Sequence, residues 1–167
     1  MPSRGQELQG GDERTAAKQR EIAPSLWQPR IIAYLCNWHS YVGADLAGTS
    51  RTEYPASVRV IRLPCSGRVD PVFILRSFQQ GADGVLVSGC HPGDCRHRTG
   101  SSYTRRRMMM LRKLLEFTGI DPRRVQVTWI SASEGHKWAQ VVTDVTEEIR
   151  ALGPLCDRGI TDARDSR

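Results

Sequence analysis

The apolar residues of this chain fall into four short runs. Ile31-Ile32-Ala33-Tyr34-Leu35 and Gly84-Val85-Leu86-Val87-Ser88 are nearly continuous. Val58-Arg59-Val60-Ile61-Arg62-Leu63 and Val125-Gln126-Val127-Thr128-Trp129-Ile130 alternate, the second more regularly. Runs of this length predict β-strands, buried on both faces where continuous and on one face where alternating. The segments between them read as helices. Gly43 to about Ser50 forms a short one. Asp70-Pro71 starts another, Asp as cap and Pro in the first helical position, and Gly81 closes it. A third runs from Thr104 to Thr118, with Met108, Leu111, Leu114, Leu115 and Thr118 on one face and Gly119 as its end. The Met108-Met109-Met110 run belongs to its packing. Ser131 and Glu134 match a capping box ahead of Trp138, Val141, Val142, Val145, Ile149 and Leu152 at helical spacing, and Gly153-Pro154 stops that last helix.

The resulting order, β-α-β-α-β-α-β-α, predicts an α/β fold with a parallel sheet and helices on both faces. The two continuous strands belong in the centre and the two alternating ones at the edges. That gives a four-stranded sheet in the flavodoxin-like order 2-1-3-4, with its switch point between the first and third strands. Ligands of open α/β sheets bind there, beyond the carboxyl ends of the strands. Residues 1–28 are polar and charged and read as a flexible N-terminal arm. Residues 29–154 form the folded domain. Residues 155–167, including Cys156, read as a polar C-terminal tail with a bystander thiol.

At 167 residues the chain has room for one domain and a core that needs no disulfide staples. No apolar run reaches 18 residues, so no transmembrane helix is expected. The polar start lacks the apolar stretch of a secretory signal, so the cytoplasm is the expected compartment. The formal charge is +6, and seven Lys/Arg with no Asp/Glu lie between Arg96 and Lys113. No nucleic-acid-binding signature accompanies that stretch. It is expected to face an acidic protein partner, with Arg105 to Arg107 as contacts.

The candidate chemistry lies in cysteines just past apolar runs. Cys36, Cys65 and Cys90 follow the first three strands, and Cys95 closes Cys90-His91-Pro92-Gly93-Asp94-Cys95. In a parallel sheet these strand ends share one edge. Three readings compete there. Four thiolates suit an iron–sulfur cluster, with His39 as a fifth candidate ligand. Cys36-Asn37-Trp38-His39 with further cysteines suits structural zinc equally well. A cysteine between a strand and a helix start also suits thiol redox chemistry, although His39 stands where a second cysteine normally does. The plain alternative is four small buried residues.

Several stretches resemble one family. These are Cys36-Asn37-Trp38 with Ser40-Tyr41, Gly43-Ala44-Asp45, Cys65-Ser66-Gly67-Arg68-Val69-Asp70-Pro71, Gly81-Ala82-Asp83-Gly84-Val85, Gly89 to Cys95, and Ile130-Ser131-Ala132-Ser133-Glu134-Gly135. From Arg30 to Pro154 the chain resembles the delta subunit of methyl-viologen-reducing hydrogenase, an iron–sulfur subunit found with heterodisulfide-reductase-like complexes. The resemblance implies one [2Fe–2S] cluster and a non-catalytic electron-relay role in a multisubunit oxidoreductase. The donor would be a hydrogenase, a formate dehydrogenase or a ferredoxin-type partner. The acceptor would be a flavin- and iron–sulfur-containing subunit similar to the large heterodisulfide reductase subunit.

The family commonly reads Cys-Cys-Asn-Trp-Cys where this chain has Leu35-Cys36-Asn37-Trp38-His39. Four core cysteines remain, enough for a cluster with none to spare. Cys36, Cys65, Cys90 and Cys95 are the expected ligands and His39 the reserve, whose nitrogen would raise the reduction potential. Arg68 and His91 are candidates to sit beside the cluster and influence its charge. The Ser66-Gly67 and Pro92-Gly93 turns are expected to offer N–H groups to its sulfurs. The alternative is a zinc-stabilised protein-binding module without redox function.

Overall fold

The computed structural model describes residues 27–155. The N-terminal arm up to residue 26, and the tail from Cys156 onward, lie outside the described residues. The strands are β1 (Ile31–Cys36), β2 (Val58–Leu63), β3 (Gly84–Gly89) and β4 (Val125–Trp129). The helices are α1 (Ser40–Thr49), α2 (Pro71–Gln79), α3 (Gly100–Thr118) and α4 (Gly135–Leu152). All strand pairs are parallel and the sheet order is 2-1-3-4, as the apolar pattern predicts.

The centre of the sheet is apolar on both sides because both sides are covered. Ile31, Ala33 and Leu35 of β1 and Leu86 of β3 pack with Ala47 of α1 and with Trp138, Val142, Val145 and Ile149 of α4. The alternate residues, Tyr34, Val85 and Val87, pack on the opposite face with Ile74 and Phe78 of α2 and Met108, Leu111 and Leu115 of α3. β2 and β4 are the edges. At the amino end of the sheet, buried Asp83 accepts hydrogen bonds from Arg30 N (2.8 Å) and Leu155 N (3.1 Å). Buried Arg124 donates to Asp83 O (2.9 Å) and Gly153 O (2.9 Å), which ties the end of α4 to the sheet.

Four local expectations need correction. α1 begins at Ser40, three residues before Gly43. Gly43 is a packing point, where a Cβ would lie 2.8 Å from Ser131 O. α3 begins one turn before Thr104, because its first turn is polar yet buried through Ser101 and Thr104. On α3, Leu114 and Thr118 are exposed, and of the methionine run only Met108 is packed. The capping box is half formed. The Glu134 carboxylate accepts from Ser131 N (2.7 Å), but no side chain caps α4 in return. The Asp70 cap is as predicted, accepting from Val72 N at 2.9 Å.

Candidate metal centre

Parallel strands bring their carboxyl ends to one edge, and the cysteines stand on it. Cys36 is the last residue of β1, Cys65 lies two residues past β2, and Cys90 follows β3 directly. Cys95 arrives on the loop that leads into α3. All four are buried and form one cluster, separate from the two apolar cores. Within it they are two pairs. Cys36 Sγ and Cys90 Sγ lie 3.2 Å apart, and Cys65 Sγ and Cys95 Sγ 4.0 Å apart. His39 Nδ1 is 3.1 Å from Cys90 Sγ. Among the described residues, Cys36, His39 and Cys90 are the one set of three or more donors whose ligand atoms all lie within 4.8 Å of one another. Cys65 and Cys95 therefore stand apart as a second pair.

Each pair has one thiol against several backbone N–H groups. The hydrogen bond to Cys90, together with the N–H groups of His39, Trp38 and Ser40 at the start of α1, brings Cys36 down to about 5. Cys90, the other half of that hydrogen bond, is pushed up, and burial adds to it. Burial pushes Cys95 up too. The N–H groups of His97 in the preceding loop and of Ser101 and Gly100 at the start of α3 outweigh this and hold it below the ordinary thiol value. Burial raises Cys65, against the opposing Gly67 N–H at 3.4 Å. Helix N-termini stabilise anions, so each pair has a site prepared for thiolate.

The surroundings are built to this arrangement. The start of α3 leaves no room for a side chain at Gly100, where a Cβ would lie 2.3 Å from Cys65 Sγ and 2.9 Å from Cys95 Sγ. The turn after Cys65 is clamped from α3. Arg107 Nη1 donates to Gly67 O (2.7 Å) and Val69 O (3.3 Å), and Thr104 Oγ1 donates to Ser66 Oγ (3.0 Å). The turn after Cys36 is held by Asn37 N donating to Leu63 O (2.7 Å) and by Arg62 Nε donating to Asn37 Oδ1. At the rim, the Arg96 guanidinium lies 4.0 Å from the centroid of the Trp38 ring.

The other candidates are peripheral. His91 turns to Glu134, with Nε2 2.8 Å from Oε2. Ser131 N–H and then His91 hold that carboxyl down at about 2. Arg68 is exposed on the surface beside the Cys65 turn. Gly67 supplies an N–H to Cys65 Sγ, and further N–H groups reach Cys36 and Cys95 from the helix starts. Gly100, Thr104 and Arg107 join the site without having been expected there. The one sequence signal for Gly100 is its place five residues after Cys95, where it reads as loop glycine.

The family model described as methyl-viologen-reducing hydrogenase, delta subunit, matches residues 31–153. The chain belongs to this delta-subunit family. It is 50% identical over 128 residues to the vhc iron-sulfur protein of the F420-non-reducing hydrogenase of Methanococcus voltae, a match that covers 77% of this chain and 89% of the relative. The corresponding iron-sulfur protein of the F420-non-reducing hydrogenase of Archaeoglobus profundus is 51% identical over 129 residues, 77% of this chain and 94% of the relative. A third match is part of a longer protein. A polypeptide of the ferredoxin:CoB-CoM heterodisulfide reductase of Methanosarcina mazei is 42% identical over 127 residues, 76% of this chain but only 16% of that relative. A domain of this type thus occurs both as a separate hydrogenase component and within a heterodisulfide reductase chain.

Proposed function

We propose that this protein is an electron-transfer subunit. It holds one [2Fe–2S] cluster between Cys36 and Cys90 on one iron and Cys65 and Cys95 on the other. The observation that carries this reading is the division of four buried sulfurs into two pairs. Two thiolates on one tetrahedral metal, with bonds of about 2.3 Å, lie about 3.7 Å apart. The pairs at 3.2 and 4.0 Å bracket that spacing. A single ion gripping all four sulfurs would need every one within that distance of the others, whereas Cys65 and Cys95 lie outside the set around Cys36. When bound, such a cluster takes up and releases one electron. The chain supplies the thiolates, the N–H groups of α1 and α3 that offset their charge, and the burial that keeps water from the sulfurs. His39 stands beside Cys90 as a hydrogen-bond donor or reserve ligand. Arg68 adds positive charge nearby, and His91 is braced by Glu134.

The names of the relatives support a hydrogenase- or ferredoxin-linked donor and a heterodisulfide-reductase-like acceptor; the family resemblance adds formate dehydrogenase as a donor and a flavin in the acceptor. The Methanosarcina mazei chain supports the acceptor in particular, because a segment like this one is part of a heterodisulfide reductase polypeptide there. No helix among the described residues is long and apolar enough to cross a membrane. A second reading, zinc held by Cys36, His39 and Cys90, is favoured by the closeness of those three donors. Iron, zinc and acid-labile sulfide in protein purified without oxygen separate the two. Iron with sulfide supports the cluster; zinc without sulfide supports the binding module.

A further inference from the structure

Helix α3 is apolar on two sides, about a third of a turn apart. One side, through Met108, Leu111 and Leu115, is core. The other holds Tyr103, Met110, Leu114 and Phe117, whose spacings of seven, four and three residues place them on one stripe. With Arg106 and Lys113 they occupy about 100° of the helix circumference. This second stripe is bare. Phe117 is 89% exposed, Met110 74%, Tyr103 51% and Leu114 46%. Single exposed apolar residues need no explanation, but a contiguous stripe of aromatic and methionine side chains beside arginine has the composition of an interface core.

The charge around the stripe selects its occupant. α3 has five Lys/Arg and one acid, Glu116. Arg107 and Arg112 are used inside the protein, the first on the Cys65 turn and the second on Val125 O. Arg106 and Lys113 remain along the stripe, with Arg106 lying over the Tyr103 ring at 5.9 Å. A second copy would bring like charges together. The chain's own ends do not complement it either: residues 1–26 have four basic and four acidic residues, and residues 156–167 have three of each.

Resting on the reading of this chain as one component of a larger assembly, we infer that the Tyr103–Met110–Leu114–Phe117 stripe of α3 docks an amphipathic helix of a partner protein, with Asp and Glu flanking that helix's apolar face. The geometry gives this surface a purpose. Tyr103 lies about one helical turn from Gly100, which touches Cys65 and Cys95. A partner seated on the stripe therefore starts beside the proposed cluster.

Lys113 is the one lysine on this helix and serves as the reporter. The tagged full-length chain is isolated without oxygen, free and in the assembly from its own cells. Both samples are treated with an acetylating ester and with a carbodiimide, which joins an amine to a carboxylate. Lys113 should acetylate about tenfold more slowly in the assembly, as expected for a residue in a stable interface. The carbodiimide should join it to Asp or Glu of another protein in the assembly. Met110→Ser with Phe117→Ser should leave folding and iron content intact and weaken association by about tenfold or more. Equal acetylation, a link only within the chain or to a second copy, or undiminished assembly of the double variant overturns the inference. Iron and sulfide measured on the same samples keep this result separate from the cluster: an iron-loaded chain with a freely reactive Lys113 refutes the docking surface alone.

Discussion

The two cysteine pairs follow one recipe and differ in what surrounds them. In both, one sulfur faces several N–H groups around a helix start, while its partner, supported at most by the single Gly67 N–H at Cys65, stays protonated more readily. The Cys36–Cys90 pair stands on the tips of the two central strands, and its position follows from the sheet itself. It also has a nitrogen donor beside it in His39. The Cys65–Cys95 pair stands on loops and depends on α3 for its shape, through Gly100, Thr104 and Arg107. A sheet edge can therefore position half of such a site without further parts. The other half has to be built from side chains that reach in from a helix.

The sharpest way to break this contrast is to fill the gap at Gly100. Gly100→Val would place carbon where the Cys65 and Cys95 sulfurs lie. Its overpacking strain of about 1–3 kcal/mol is survivable for the fold, but iron content should drop at least tenfold, by roughly the 1.4 kcal/mol that a tenfold change represents. Gly48→Ala is the control, because a Cβ there meets nothing within 4 Å. It should leave iron unchanged. Equal iron in the two variants would remove Gly100 from the site.

Arg107→Ala comes next. It unties the Gly67 and Val69 carbonyls and should lower stability by about 1–3 kcal/mol in urea melts, as for a lost charged hydrogen bond. Iron should be released faster on exposure to a chelator. The same change at exposed Arg105 should do neither, which separates the clamp from the surface charge beside it.

These two residues also show where the sequence is readable. The strand order follows from which runs are apolar on both faces, as Val85, Leu86 and Val87 are, and the gathering of four cysteines follows from that order. Contacts across the fold leave no such trace. Arg107 reads as part of a basic run facing a partner because nothing in its neighbours marks the carbonyls it reaches, forty residues earlier in the chain for Gly67. Gly100 reads as a loop residue because the first turn of α3 is Gly-Ser-Ser-Tyr, which lacks the apolar period of a helix. The period of α3 points to Leu114 as buried, yet it is exposed, since a helix with apolar residues on two sides supports more than one choice of buried face.

Smaller effects come from the first pair. His39→Ala should leave the iron in place if the imidazole only donates to Cys90. The reduction potential should then fall by roughly 40 mV, the worth of a hydrogen bond of about 1 kcal/mol on a one-electron couple. A marked change in the EPR signal would instead make His39 a ligand. In metal-free protein, alkylation should begin at Cys95, which combines a lowered pKa with slight exposure, 7% against 0% for Cys36. Its thiolate persists to lower pH than that of Cys65, so on lowering the pH the Cys65 rate should drop first and the Cys95 rate at a lower pH. Mass spectrometry of the labelled peptides gives both rates.

The most direct measurement is the metal and acid-labile sulfide content of the full-length protein purified without oxygen, with its visible spectrum and its EPR after reduction. About two irons and two sulfides per chain, a coloured protein and an EPR signal from one reduced cluster are the expected result. A colourless protein holding one zinc and no sulfide would contradict it.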